Sequence, residues 1–261
     1  MACLRVIRVP ASAPETVPLP FADRSAAGRL LGARLLRMSA DASGLCLAGT
    51  VVLALPRGGV PVGREVAIAL RAPLDVLVTR KIGYPLQPEL GVGALAEGGQ
   101  PVFDEEILAR LGLTAAALAP VVGREQAELG RRIAAYRGDQ PAATVRGRDV
   151  IVVDDGLATG VTARAALRAV RAAGAGRTIL AVPVAAPSSA AAMMTEADLV
   201  VVLAAPPGFR AVGEWYQSFS QLEDADVVML LAAATRPGDV TSGPDEATSR
   251  GVGPAHPAPP L

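Results

Sequence analysis

Residues 150–162 read VIVVDDGLATGVT, and the order of side chains in that stretch decides the fold. Four β-branched aliphatic residues in a row have no polar face, the pattern of a strand buried on both sides of a parallel sheet. Asp154 and Asp155 follow at once, so this strand carries two carboxylates out to the rim of the core. Gly156, Leu157, Ala158, Thr159, Gly160, Val161 and Thr162 then lead into a helical pattern, TARAALRAVRAAG at 162–174. Backbone N–H groups at a helix N-terminus carry partial positive charge and bind phosphate. Gly160 lets backbone approach a ligand closely, and Thr159 and Thr162 add hydroxyl donors. The carboxylates repel phosphate but accept hydrogen bonds from sugar hydroxyls, or ligate magnesium. One loop therefore offers a phosphate site beside a diol site, which fits a ribose 5-phosphate.

The same alternation extends outward on both sides. TVVLAL (50–55), LDVLVT (74–79), DVIVV (149–153), TILAVPV (178–184) and DLVVVLA (198–204) read as strands. Helices are expected from Asp23, as cap, to about Met38, and over 60–70, DEEILARL, 114–136, 162–174 and SSAAAMMTE. Residues 80–103, with several Gly and Pro, read as a long loop containing a hairpin. Apolar strands alternating with helices predict an α/β chain: a Rossmann-like parallel sheet covered on both faces, with a small hood from the N- and C-terminal segments. Ligands in such sheets bind at the carboxyl ends of the strands. The Pro-containing residues 1–20 read as a loose lead-in, 21–235 as the single domain, and the Pro/Gly-rich 236–261 as a disordered tail.

Composition narrows the chemistry. Formal net charge is zero over 261 residues, so bulk charge draws the chain to neither nucleic acid nor a membrane surface. Cys3 and Cys46 are too few for a disulfide framework or a zinc site. The single histidine, His256, lies in the tail, which removes Ser-His-Asp triads and histidine metal sites. There is no signal-peptide pattern and no run near the roughly 18 apolar residues of a membrane span. The expectation is a soluble, cytoplasmic protein. Lys81 is the one lysine among 25 basic residues, a position where an ammonium has survived a strong arginine bias.

On these residues the chain resembles the type I phosphoribosyltransferases. Their binding motif for 5-phosphoribosyl-1-pyrophosphate (PRPP) has four hydrophobic residues, two acids and a Thr-Gly-x-Thr loop. The resemblance implies that Asp154 and Asp155 hold the ribose hydroxyls and that Ala158, Thr159, Gly160, Val161 and Thr162 wrap the 5-phosphate. It implies Mg2+, held mainly by PRPP with Asp154 and Asp155 as the protein candidates, and a homodimer. VIVVDDG is also similar to the first strand of a response-regulator receiver domain. That reading fails because the expected acceptor position carries Leu203 and no lysine follows Lys81. A Walker A loop is excluded by the absence of a Gly-Lys pair.

Three further stretches complete the expected site. LPRGGVPVG (55–63) sets an arginine beside two glycines, a grouping that can converge amides and a guanidinium on an anion. By the resemblance, Arg57, Gly58 and Gly59 grip pyrophosphate. TRKIGYPLQPELGVGALAEGG (79–99) matches the family's flexible loop, with Arg80 and Lys81 adding charge near pyrophosphate. Glu89 and Glu97 either order that loop, help position magnesium or the nucleophile, or simply face solvent. PPGFRAVGEWYQSFSQ (206–221) concentrates the aromatic residues of an aromatic-poor chain. Phe209 and Trp215 either stack on an acceptor base or form a local core under the C-terminal helix. Asp154, Asp155, Arg57 and Lys81 are the expected catalytic set.

One departure matters. Hypoxanthine-guanine phosphoribosyltransferases carry a third acid where this chain has Ala158, and DDGLATG is closer to the adenine and uracil enzymes. The implied reaction is transfer of the phosphoribosyl group to a nitrogen acceptor, a nucleobase, with release of pyrophosphate. The competing class is a PRPP- or nucleotide-sensing regulator that keeps the fold without turnover.

Overall fold

The structure is a computed structural model, described here for residues 17–40 and 49–234. The tail at 236–261, most of the lead-in, Cys3, Cys46 and His256 lie outside the described residues.

Helix α1 (Arg24–Ala40) starts where expected, with the Asp23 carboxylate accepting the Ala26 amide at 2.7 Å. Strand β1 (Val51–Ala54), helix α2 (Gly59–Leu70) and strand β2 (Leu74–Val76) follow. After an antiparallel insertion and helices α3 (Glu105–Leu111) and α4 (Ala119–Arg137), the chain returns to the main sheet. It does so as β6 (Asp149–Val153), α5 (Val161–Ala172), β7 (Arg177–Val184), α6 (Pro187–Met193) and β8 (Leu199–Ala204), and closes with α7 (Asp224–Ala232).

The main sheet has the order β2-β1-β6-β7-β8, all neighbours parallel. Its inner strands β1, β6 and β7 bury both faces, as the continuous apolar runs demand. Val52, Ala54, Ile151, Val153, Ile179 and Ala181 pack with α1, α2 and α4 on one side. Val51, Leu53, Val150, Val152, Leu180 and Val182 pack with α5 and Met193 on the other. Helices α1 and α2 lie very close. A Cβ on Gly28 would come within 2.7 Å of the Val62 carbonyl oxygen, and one on Gly32 within 2.7 Å of the Ala69 Cβ.

Strand order reverses between β1 and β6. That switch point opens a crevice beyond the carboxyl ends of these two strands, where the Leu55–Gly59 and Asp154–Gly160 segments emerge. The N- and C-terminal segments meet at the same end. Phe21 N donates to Trp215 O (2.8 Å), and Gln217 N to Phe21 O (2.7 Å).

The largest correction concerns residues 79–103. LDVLVT is not one strand, since β2 ends at Val76. A separate antiparallel sheet follows, formed by β3 (Thr79–Tyr84), β4 (Gln87–Ala96) and β5 (Val102–Phe103). Arg80 and Lys81 therefore sit on a paired strand, not in a loop. The glycines that read as loop punctuation are sites of close approach within this sheet. A Cβ on Gly83 would lie 2.4 Å from the Pro88 carbonyl oxygen, and one on Gly93 2.7 Å from that of Val102. Ala94, Ala96 and Val102 pack against Val161, Ala165 and Ala169 of α5. The helix expected over 114–136 opens with a 3-10 turn at Ala116–Leu118, and the helix expected at 188–196 stops at Met193. Among the described residues no single helix is long and apolar enough to cross a membrane.

Candidate functional site

β6 leaves the sheet at Val153, and the next two residues are held from several directions. The Asp155 amide donates to Asp154 Oδ1 at 2.8 Å. Asp155 Oδ2 accepts from Arg24 Nε at 2.8 Å, with both side chains nearly buried. The Asp155 carbonyl accepts from the Tyr216 hydroxyl at 2.5 Å. The acid pair packs directly on the loop after β1. A Cβ on Gly58 would lie 2.0 Å from Asp155 Oδ2, and one on Gly59 2.7 Å from the Val153 carbonyl oxygen. Gly58 and Gly59 are thus required by the approach of the acid loop, whatever ligand their amides meet.

Burial pushes both carboxyls above the ordinary aspartate range. Asp154 is raised most, by desolvation and then by the neighbouring Asp155 charge, with Arg24 and Lys81 pulling it back. Asp155 is raised by desolvation and restrained by the Arg24 hydrogen bond and charge. The pair is therefore short of donors and positive charge, an environment that favours ligand hydroxyls or a cation.

The segment after the pair is pinned at its base and open at its tip. Leu157 N donates to Val184 O (2.9 Å), Ala186 N to Leu157 O (2.8 Å), and the Ser189 hydroxyl to the Ala158 carbonyl. Ala158 and Thr159 are exposed. Gly160 adopts φ +78°, where an L side chain is strained, and a Cβ there would also press on Met193 Cε at 3.2 Å. Helix α5 then begins at Val161 with no side-chain cap, leaving its first amides to a ligand or water. Thr162 lies in this first turn.

The basic residues are arranged differently. The Pro56–Arg57 peptide is cis. Arg57 turns its guanidinium to the start of α7, where Nη1 donates to Leu222 O at 2.6 Å and lies 3.4 Å from Glu223. Arg80 is paired with Glu125 of α4 through Nε (2.8 Å) and Nη2 (2.7 Å). Lys81 is exposed on β3, and its charge reaches Asp154. Glu97 is bound by Arg137, at 2.5 Å and 3.2 Å, in a buried network with Asp75. Glu89 is exposed. Phe209 and Trp215 stack on each other at 6.3 Å and pack against the cluster of Phe21, Val184 and Tyr216.

The crevice thus gathers Asp154, Asp155, Gly58, Gly59 and the 158–162 loop, with Lys81 in electrostatic range. Arg57, at the end of the loop after β1, is held by other partners, and Arg80 is turned to Glu125 of α4. A cavity of about 420 Å³ lined by Phe103, Asp104, Arg164 and Arg168, among others, shares none of these residues.

Arg24 and Tyr216 are the residues that sequence reading missed. The one available signal was an arginine in the first turn of α1, where the helix field disfavours a cation and an outside partner is needed. That partner, Asp155, lies 131 positions away.

Comparison with known proteins gives the family. The family model described as "Phosphoribosyl transferase domain" matches residues 42–202, which include both crevice loops. Two curated relatives, both from Mycobacterium tuberculosis, are "Putative phosphoribosyl transferase Rv0571c" (strain ATCC 25618 / H37Rv) and "Putative phosphoribosyl transferase MT0597" (strain CDC 1551 / Oshkosh). Each is 45% identical over 216 residues, covering 83% of this chain and 47% of the relative. The chain therefore spans about half the length of the curated relatives it matches. The crystal structure of TT1426 from Thermus thermophilus is 40% identical, with a TM-score of 0.67, covering 81% of this chain and 97% of that one. With the matched segment taking in both the PRGG turn and the acid pair, the chain belongs to the phosphoribosyl transferase domain family.

Proposed function

We propose that this chain is a phosphoribosyltransferase that moves the 5-phosphoribosyl group of PRPP to a nitrogen acceptor, a nucleobase, and releases pyrophosphate. The observation that carries the reading is the switch-point crevice. Two carboxylates of raised proton affinity pack on a Gly-Gly turn beside an uncapped helix N-terminus. Asp154 and Asp155 accept the ribose hydroxyl protons, which relieves their shortage of donors. Amides of Ala158, Thr159, Gly160 and Val161 and the hydroxyls of Thr159 and Thr162 take the 5-phosphate. The Gly58 amide faces the pyrophosphate, while Gly59 N is kept by the Leu55 carbonyl at 2.9 Å and serves the turn itself. Lys81, exposed on β3, adds a cation to the anion. Arg57 reaches the same anion by exchanging the Leu222 carbonyl for phosphate oxygens. Arg80 would first have to leave Glu125.

In the reaction, a lone pair on the acceptor nitrogen forms the bond to the anomeric carbon. The bond from that carbon to the pyrophosphate oxygen breaks, pyrophosphate leaves with the electron pair, and the proton lost by the nucleobase is released to solvent or to the departing pyrophosphate. Positive charge develops on the ribose ring in between. The protein's part is to orient the ring and hold the departing anion. No covalent nucleophile is needed.

Magnesium fits as a companion of the substrate rather than as a resident ion. Among the described residues no group of three or more His, Cys, Asp or Glu side chains is placed for a metal. Asp154 and Asp155 are the acids that the crevice offers, so PRPP oxygens would supply most ligands. Bound there, Mg2+ would neutralise charge on the leaving pyrophosphate. The reading also carries a homodimer working in the cytoplasm.

A second reading, a PRPP- or nucleotide-sensing protein without turnover, is favoured by one observation: the two arginines expected to grip pyrophosphate, Arg57 and Arg80, both have protein partners. Calorimetric titration of PRPP with magnesium, followed by pyrophosphate release over a panel of nucleobases, separates the two. Binding with release establishes the transferase, and binding without release the sensor. The Asp154→Asn/Asp155→Asn double variant should lose PRPP binding and stay folded. Unchanged affinity in it would remove the acid pair from the site.

A further inference from the structure

Asp155 is enclosed in a ring of residues drawn from distant parts of the chain. Arg24 Nε holds its carboxylate at 2.8 Å, and the Tyr216 hydroxyl holds its carbonyl at 2.5 Å. Phe219 closes the ring. The Arg24 guanidinium carbon lies 3.7 Å from the centre of the Phe219 ring, and the Tyr216 and Phe219 rings are 5.1 Å apart. Arg24 Nη1 also donates to the Ser220 carbonyl at 2.9 Å, fixing the backbone next to Phe219. The Phe219 ring itself sits over Gly213, where a Cβ would come within 2.9 Å of Cδ1. One planar guanidinium thus makes an ion pair, a carbonyl hydrogen bond and a ring stack at once. A lysine ammonium, a point charge on a flexible stem, cannot satisfy all three.

We propose that Arg24 and Tyr216 are positioning residues for Asp155, and that the ring they close with Phe219 is what aims the second carboxylate into the crevice. The acid pair alone cannot supply this aim, because Asp154 contributes only one hydrogen bond, from the Asp155 amide. The proposal rests on the transferase reading for its role in substrate binding, but the ring itself is testable without substrate.

Amide hydrogen exchange on the ligand-free protein is the first arm. Arg24→Gln should speed exchange at 154–157 and at 217–222 together, and Tyr216→Phe should do the same. In the double variant the effects should fall short of additive, because each substitution opens the same ring. Unchanged exchange at 154–157 in Arg24→Gln, or full additivity, overturns the ring. The second arm is steady-state kinetics with PRPP. Arg24→Gln should raise the PRPP KM by roughly 10- to 100-fold, as loss of a residue that orients a ligand-binding group does. kcat should change far less, because the lost contact serves binding in ground and transition state alike. Phe219→Leu, which keeps apolar bulk and touches neither aspartate, should raise KM by a smaller factor. Arg24→Lys should recover little, and full recovery would show that charge alone suffices and overturn the proposal. If the wild-type protein neither binds nor turns over PRPP, the transferase reading falls, while the exchange arm still decides the ring.

Discussion

Asp155 and Arg57 emerge from neighbouring strands at the same crevice, yet one is locked and the other is lent out. The Asp155 carboxylate and carbonyl are each held by a nearly buried partner, Arg24 and Tyr216. Arg57 leans on a backbone carbonyl and on Glu223, whose side chain is 70% exposed. Breaking a buried ion pair by removing one partner costs about 3–5 kcal/mol. An exposed pair is worth about 0–1 kcal/mol. An incoming anion can therefore draw Arg57 from Glu223 at little cost, provided it also replaces the bond to the Leu222 carbonyl and the 3.9 Å contact with Asp224, while nothing in that range moves Asp155. On the proposed reading, the acid half of the crevice is built before the ligand arrives, and the basic half would be assembled around it.

The strongest way to break that contrast is to disturb the built half through its steric floor. In Gly58→Ala the new Cβ falls 2.0 Å from Asp155 Oδ2, inside any allowed contact. Asp155 cannot swing aside without giving up Arg24, so the turn or the acid loop must shift. A misplacement on the order of 1 Å near a reacting centre costs about 100-fold in rate, and overpacking costs about 1–3 kcal/mol in stability. Pyrophosphate release and thermal melting should both fall by these amounts. A Gly58→Ala protein with wild-type PRPP affinity would mean that the two loops do not pack as described.

The two acids themselves should respond unequally. A carboxyl whose folded pKa lies above its unfolded value, near 3.9 for aspartate, binds its proton more tightly in the native state. Its favourable contribution is complete below the unfolded value and is lost as pH rises through the folded one. At neutral pH the ionised pair therefore weighs against the fold, Asp154 most of all. Asp154→Asn keeps an oxygen to accept the Asp155 amide and removes the charge. It should melt above the wild type at pH 7.5, with the gain shrinking as pH is lowered toward 4. Asp155→Asn strands the Arg24 guanidinium and should show a smaller gain or a loss. Melting curves of the three proteins across that range decide it, and an Asp154→Asn protein less stable than wild type at pH 7.5 would contradict the raised pKa.

The same division explains what could be read in advance. VIVV and TILAVPV announced buried parallel strands, because burial on both faces leaves no other pattern, and the run after Asp198 gave a parallel edge strand that is only half-buried. The crevice was legible for a related reason: a strand that ends in two acids and a Gly-containing turn states its own geometry. At 79–103 the hairpin was legible but the extent of the sheet was not, since Gly83 and Gly93 read as loop residues until Pro88 and Val102 are seen pressed against them. Arg24, Tyr216 and Phe219 were invisible as a unit because their meeting depends on the docking of the 21–24 segment on the 215–220 segment, which no local pattern encodes.

The smallest expected effects come from the lent half, at two adjacent positions of β3. Neighbouring residues on a strand face opposite sides. Arg80 goes to Glu125, and Lys81 is exposed with its charge felt at Asp154. Arg80→Ala should cost about 0.5–1 kcal/mol of stability through the lost, largely shielded pair and leave PRPP affinity nearly intact. Lys81→Ala should leave the melting temperature unchanged and weaken PRPP binding by several-fold, an effect that fades as salt screens the exposed charge. Titrations of both variants at low and high ionic strength distinguish the two faces. If Arg80→Ala weakens PRPP binding as much as Lys81→Ala does, then Arg80 abandons Glu125 in the complex. In that case the strand presents both cations to the pyrophosphate, and the assembled half of the crevice is larger by one guanidinium.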